Sequence, residues 1–463
     1  MSVVLLFIAI GFVVIVAPLL FRSLDEETQY RVVRRLPMLQ SWQVFPTAPF
    51  QSLPTVEASF DANALALLAT GNPTQAAIAD NPTVTVTERS VPASATLPPT
   101  NTPGASALRS SEVLPPTATI AVTAQAATAV PSPTMAVLPV SYHGTGYTWI
   151  PQTWNNCGPA NLAQALEAFN WAGNQATAAA YLKPNKEDKN VSPWQMVEYV
   201  NTQSNVRALT RIGGNLNLMR RLVAQKFPVI LETGYSLPGE GWMGHYLTVI
   251  GYDSTKGLLF GLDTMLGDGP DNLGYPEKYN ELDTRWQQFN RTYIVLYPAE
   301  REAELTAILG ADFNEAQNAQ HALGVAQSEV GSAPNNPFAW FNMGSSYVAL
   351  GHYKEAATAF DQASRVGGGL PYRMLWYQFA PYEAYYQIGA YKNMMTLINA
   401  TLQTTIDVEE TYYWRGMVEA AQGKTALAVK DFNHVLQYNP NFTPAADALT
   451  RVQNGTFTAP TNS

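Results

Sequence analysis

The chain has 463 residues, more than one hydrophobic core usually organises, so two or more folded units are expected. Its net charge is −9 and no basic run exceeds a pair such as Arg34-Arg35, which argues against nucleic acid as a partner. The single cysteine, Cys157, excludes an internal disulfide and Cys-based zinc sites, and the histidines (His143, His245, His321, His352, His434) are scattered, so neither a metal nor a cofactor is expected.

In chain order, Val3 to Phe21 carries no charge and is long enough to cross a bilayer. Met1-Ser2 supplies no basic start and no small-residue cleavage pattern follows. A transmembrane anchor helix over 3–21 is therefore expected, with a cleaved signal peptide as the second reading. Arg22, Arg31, Arg34 and Arg35 follow it and would hold that side in the cytoplasm. Residues about 45–138 point the other way. They are rich in Pro, Thr, Ser and Ala, lack a sustained apolar period, and read as a disordered linker of the kind that lifts a domain off a cell surface. The stalk is weighed slightly above the arginines, which places the following domain outside the cytoplasm. Within 22–138 only Ala62 to Ala69 resembles a short helix.

From Tyr142 regular elements become readable. Cys157-Gly158-Pro159 leads into a helix with apolar residues at Leu162, Ala165, Leu166 and Phe169; Pro159 suits its first turn and Gly173 its end. Ser192-Pro193-Trp194 opens a second helix, and Leu216 to Gln225 forms a third, ended by Phe227-Pro228. Strands follow at 229–233, 246–252, 258–262 and 292–298. Helices first and antiparallel-looking strands after predict an α+β domain over about 139–300.

From 301 to 455 the pattern is helical and repeats. Trp340 to Ala363 carries Trp340, Gly344, Tyr347, Gly351, Tyr353, Ala356, Phe360 and Ala363, and resembles the tetratricopeptide repeat, a helix–turn–helix unit of about 34 residues. A second copy has Tyr385, Gly389, Tyr391 and Ile398, a third Gly416, Gly423, Ala428, Phe432 and Pro440, and a degenerate one lies near Phe313 and Ala316. Such units stack into a short all-α array that binds a protein partner. A plain helical bundle is the competing description. Gly423-Lys424-Thr425 lacks the upstream glycine of a phosphate loop (position 418 is Val418) and reads as a turn.

The chemistry concentrates in Pro151 to Ala160. A thiol in the first turn of a helix feels the positive end of the helix dipole, which favours the reactive thiolate. Gly158 leaves room for a substrate carbonyl. The Gln152 amide, five residues upstream, can donate to the oxyanion of a tetrahedral intermediate together with the Cys157 N–H. The best candidate base is His245, at the mouth of an apolar strand. If the hairpin that follows is symmetric about Ser254, position 245 faces Asp263, whose carboxylate could fix the imidazole.

Gln-x4-Cys-Gly-Pro, then Gly-His-Tyr entering a strand that ends Gly-Tyr-Asp, then an Asp closing the next strand, resembles the bacteriocin-processing (double-glycine leader) peptidase family. The resemblance covers about residues 142–298, roughly a third of the chain. It implies a papain-like cysteine peptidase fold, with Cys157 as nucleophile, His245 as base, Asp263 as orienter and Gln152 as oxyanion donor. Asp263 is followed by Thr264, where the family often has proline, and cleavage after a double-glycine leader is not assumed. Trp154, Trp242 and Tyr246 flank the site, as cleft or as core. Asp253 reads as a turn residue, and Asp263, Asp268 and Asp271 lie in a loop without calcium-loop spacing. Three functions stand: an anchored hydrolase of peptide or isopeptide bonds, a non-catalytic peptide-binding scaffold, and an acyl transferase using the same thioester.

Overall fold

A computed structural model describes residues 16–24, 28, 29, 32, 39, 52–58, 137–237 and 241–460. Of the expected anchor, residues 3–15 lie outside these, as does the short helix expected at Ala62 to Ala69. Ala17–Arg22 (α1) is helical, and among the described residues no helix is long and apolar enough to cross a membrane.

The first large element is a seven-stranded sheet. Its strands are β1 (Ser141–His143), β2 (Arg207–Arg211), β3 (Val229–Leu237), β4 (Gly241–Asp253), β5 (Leu258–Asp263), β6 (Tyr275–Lys278) and β7 (Tyr293–Tyr297). They run in the order β2-β7-β3-β4-β5-β6, every pairing antiparallel, and β1 pairs with the last residues of β4. Side chains alternate between two cores. Val229, Leu231, Tyr293 and Val295 pack with Leu218, Leu222 and Trp286 on one face, while Ile230, Ile294 and Leu296 pack with Leu162, Leu166 and Met196 on the other. The sheet is thus buried on both sides, which is why its strands read as apolar runs. RALTR and YPEK do not read so, and β2 and β6 were not expected. They form as outer strands on β7 and β5, whose ladders they complete.

Helix α2 (Cys157–Glu167) starts where expected but stops six residues short of Gly173. Asn170 takes φ +56, a left-handed conformation that asparagine tolerates, and turns the chain away. Helix α3 (Gln175–Leu182), capped by Asn174 and Thr177, was not foreseen. Helix α4 (Pro193–Gln203) carries the Ser192–Gln195 capping box, and α5 (Leu216–Ala224) is capped by Asn215. Helix α6 (Tyr279–Gln287) enters β7, and α7 (Glu302–Leu309) leads into the helical region.

That region comprises α8 (Glu315–Ser332), the pairs α9 (Pro337–Ala349) and α10 (Tyr353–Ala363), α11 (Ala380–Gln387) and α12 (Tyr391–Leu402), α13 (Glu409–Ala421) and α14 (Thr425–Tyr438), and a last helix α15 (Thr443–Gln453). A Cβ on Gly344 would stand 2.6 Å from the Phe360 ring, and one on Gly416 would stand 2.7 Å from the Phe432 ring. In both pairs a glycine on the first helix admits an aromatic ring from the second where a side chain would collide.

Residues 52–58 require a correction. They fall in the stretch expected to be disordered, yet they lie extended on the repeats, with Ser52 bridged to Pro371 and the Leu53 N–H donating to Leu370 O at 2.9 Å. Leu53 and Val56 are buried in the repeat core. Averaging over a Pro/Thr-rich window hides two apolar side chains spaced to enter one groove.

Candidate active site

Cys157 is the first residue of α2, half-buried, with Asn155 before it at φ +52 to swing the chain into the helix. The helix is fastened to the sheet by a buried polar set. Asn161 Nδ2 donates to Tyr246 O (2.8 Å), Thr248 Oγ1 donates to Asn161 Oδ1 (2.9 Å), and Gln164 Oε1 accepts from the Ile150 N–H (2.8 Å). These bonds fix the height of the sulfur against β4, which carries His245.

His245 Nε2 lies 2.9 Å from Asp263 Oδ1, and both side chains are almost fully buried. The hairpin register behind this contact is not the symmetric one expected. Asp263 sits opposite Leu247, because the turn occupies 254–257 and a bulge lies between Val249 and Gly251. The difference from the expected partner is two positions, so His245 and Leu247 share a face and the imidazole reaches the carboxylate diagonally. Asp253 is a turn residue as read, accepting from the Thr255 and Lys256 N–H groups.

Asp263 is held by more than the histidine. The N–H groups of Met265 and Leu266 both donate to Oδ1 at 2.8 Å, and the Tyr235 hydroxyl donates to Oδ2 at 3.0 Å. Behind Tyr235 stand Glu277, which also accepts from its hydroxyl (3.2 Å), and Arg285, which pairs with Glu277 and lies over the Tyr235 ring. Burial would raise the Asp263 pKa, but the His245 charge and hydrogen bond and the two backbone donors bring it down to about 2. Burial would lower that of His245, but Asp263 first, and then Cys157, raise it to about 10. Burial would raise that of the thiol, but the hydrogen bond and charge of His245, a bond from the Tyr246 backbone and the charge of Lys183 leave it below its ordinary value. Each group is thus shifted toward its charged form, the thiol and carboxyl downward and the imidazole upward. With Nε2 engaged by Asp263, Nδ1 is the ring nitrogen left to serve the sulfur.

Gln152 is aligned by the residue after Asp263. Its N–H donates to Thr264 O (3.0 Å) and the Thr264 hydroxyl donates to its Oε1 (2.8 Å). The carbonyl end of the amide is thereby occupied, leaving Nε2 as the end able to donate to an oxyanion. Thr264, where proline was the expected type, does this with a group proline lacks.

Of the flanking aromatics, Tyr246 lies in the core against which Cys157 packs, and its hydroxyl hydrogen-bonds Val191 O (2.9 Å) and the buried Glu232 (3.2 Å), whose carboxyl burial holds well above its usual range. Trp154 bonds Glu187 (3.0 Å). Trp242 stacks on Phe289 and meets Phe338 and Tyr377, so it belongs to the seam with the repeats. Tyr235, Glu277, Arg285 and Lys183 were missed, since nothing local in the sequence ties them to Asp263 or Cys157. His143 stacks on Phe260 at the surface, and His352 and His434 sit in the repeats. Among the described residues no group of His, Cys, Asp or Glu is arranged to hold a metal ion.

Residues 145–294 match the model of the peptidase C39-like family, and residues 337–366 and 409–442 match models of the tetratricopeptide repeat. No curated protein matches the chain. Among solved structures, the crystal structure of a C39-like peptidase from Bacillus anthracis is similar at 15% identity, over 33% of this chain and 94% of its own, with a TM-score of 0.26. A peptidase C39-like domain is thus followed by tetratricopeptide repeats. The protein is cysteine peptidase-like with a repeat interaction domain.

Proposed function

We propose that this protein hydrolyses a peptide or isopeptide bond, with residues about 139–300 supplying the chemistry and 301–455 engaging a protein partner. The observation that carries the reading is the buried His245–Asp263 contact at 2.9 Å beside a thiol at the start of a helix. The Cys157 thiolate attacks the carbonyl carbon, and the Gln152 amide and the Cys157 N–H receive the developing oxyanion. Imidazolium Nδ1 of His245 protonates the leaving amine, and a thioester to Cys157 remains. Neutral His245 then takes a proton from water, the hydroxide attacks the thioester, and the thiolate leaves as the acid is released. Asp263 keeps the ring oriented and stabilises its charge throughout.

The test is labelling of the sole cysteine by an electrophile across pH, in the native chain and in His245→Ala. Fast labelling at pH 5–6 that slows in the variant is expected. Slow labelling that follows an ordinary thiol titration near pH 8.5 and ignores the variant would instead leave a non-catalytic scaffold.

The uncharged run Val3 to Phe21 supports a single-pass membrane protein, and the Pro/Thr-rich stretch of 45–138 supports a hydrolase outside the cytoplasm. Protease added to intact cells should remove residues 139–460 if so, and should spare them until lysis if the arginines after the run decide the orientation.

A further inference from the structure

Ser52–Ala58 lies in a groove formed by the first two complete repeat pairs, lined by Phe341, Phe360, Leu370, Leu375, Tyr385 and Leu397. Its contacts are those of a bound extended peptide. The main chain is read at three points: Leu53 N–H to Leu370 O (2.9 Å), Arg365 Nη2 to Val56 O (2.8 Å) and Asn393 Nδ2 to Glu57 O (2.8 Å). The side chains are read at three more. Leu53 and Val56 enter the groove on either side of Pro54-Thr55, and Glu57 pairs with Lys392 at 2.7 Å. Hydrogen bonds to the backbone recognise extended shape, and pockets for spaced side chains recognise sequence.

Two buried side chains and these few bonds must offset the ordering of the whole segment, so as a free peptide it binds weakly. Attachment to the same chain raises its local concentration and keeps the groove filled. A second copy of the protein offers the same contacts without that advantage. A partner that presents a better version of the pattern can prevail.

We infer that the groove is a recognition site for an extended peptide of pattern apolar–Pro–any–apolar–acidic, that Ser52–Ala58 is its occupant in cis, and that a partner protein bearing the same pattern displaces it. This rests on the repeats being an interaction domain and is independent of the chemistry at Cys157, whose labelling is read separately and should not change.

The probe is a fluorescent peptide of residues 50–60, titrated into the full chain and into Leu53→Asp/Val56→Asp, which empties the groove. The expected result is binding at least 10-fold tighter to the variant, weakened several-fold by adding Lys392→Glu. Equal binding to both chains, or none to either, overturns the proposal. Because the variant could unfold, amide exchange is also read on the native chain. Excess unlabelled peptide should speed exchange at Leu53, whose N–H is bonded only while the segment is docked. Exchange at Leu53 that tracks global unfolding and ignores the peptide would make the segment a fixed strut and sink the idea. A wild-type dimer dissolved by Leu53→Asp/Val56→Asp would overturn the heterologous partner in favour of a second copy.

Discussion

Asp263 and the trio Asp188, Glu409 and Glu410 are all buried below 5% exposure, yet their acidities are shifted in opposite directions. Asp263 has a cationic imidazole, two backbone N–H donors and a phenol, and burial is overcome. The trio sits where α4 and its preceding loop meet α13 of the repeats. Glu410 takes one hydroxyl from Ser192 (2.8 Å), Glu409 takes amides from Gln195 and Asn439 (both 2.9 Å), and Asp188 takes the Asn190 N–H (3.1 Å). The acids face one another and Asp407, with Lys183, Lys189 and Glu187 around them. Burial, then mutual repulsion, pushes Glu410 to about 8 and Glu409 well above its usual range, and burial pushes Asp188 to about 7 against the pull of Lys183. Depth alone therefore does not decide ionisation; the number of donors and the sign of the nearest charge do. One site is arranged to favour the charged carboxylate, and the other, at the seam, to favour the protonated acids.

The largest expected effect comes from removing the cation on the catalytic side. His245→Ala should slow electrophile labelling at pH 6 by about 100-fold or more, as judged by mass spectrometry, because the half-buried thiol without its imidazolium reverts to the protonated form. Asp263→Asn should come next. It should cost about 3–5 kcal/mol of stability in denaturant titrations, the usual result of stranding a buried charge, and slow labelling by at least about tenfold. The pH sign follows from both partners. The lowered Asp263 contributes stability present above about 4 and lost as pH falls through about 2, and the raised His245 contributes stability present below about 6.5 and lost through about 10. The wild-type advantage over Asp263→Asn should peak between about pH 4 and 6.5.

The seam should respond with the opposite sign. Acids raised on folding stabilise below about 4.5 and lose that contribution as pH climbs through about 7–8. Glu410→Gln should therefore change little at pH 5 but raise the melting temperature at pH 9 by a few degrees, at roughly 2–4 °C per kcal/mol. No difference between the two pH values in scanning calorimetry would mean that the trio is solvated and ionised. The smallest effect should be Tyr235→Phe, which removes one of four donors to Asp263. About 1 kcal/mol of stability and a labelling loss of only severalfold are expected.

The four candidate site residues were legible because each sits in a short motif with a local reason: a thiol at a helix start, an amide at fixed spacing, a histidine at a strand mouth, an aspartate at a strand end. Their mutual arrangement was less so. The expected hairpin pairing put Asp263 opposite His245 when it stands opposite Leu247, and the contact survives because the error preserved strand parity. The supporting shell was invisible, since Tyr235 on β3 meets Asp263 on β5 across the intervening β4, and Glu277 and Arg285 act through Tyr235 from β6 and α6. The outer strands β2 and β6 carry too few apolar residues to announce themselves, and α2 ends at a backbone reversal that periodicity does not encode.

The docking of Ser52 onto Pro371 also changes how the molecule's lengths should be counted. The chain is pinned to the folded body at Leu53, departs after Ala58, and is pinned again near Pro139, whose carbonyl accepts from Tyr252. Residues 58 and 137, the described residues on either side of 59–136, are therefore both held by the folded body. In the proposed anchored arrangement, residues 22–51 separate the run Val3 to Phe21 from the docked Ser52. At ~3.3–3.6 Å per extended residue, that is at most about 100 Å. Release of the Ser52–Ala58 contact would add residues 52–136 to that tether and, on the proposed reading, widen the radius over which the Cys157 site meets a substrate.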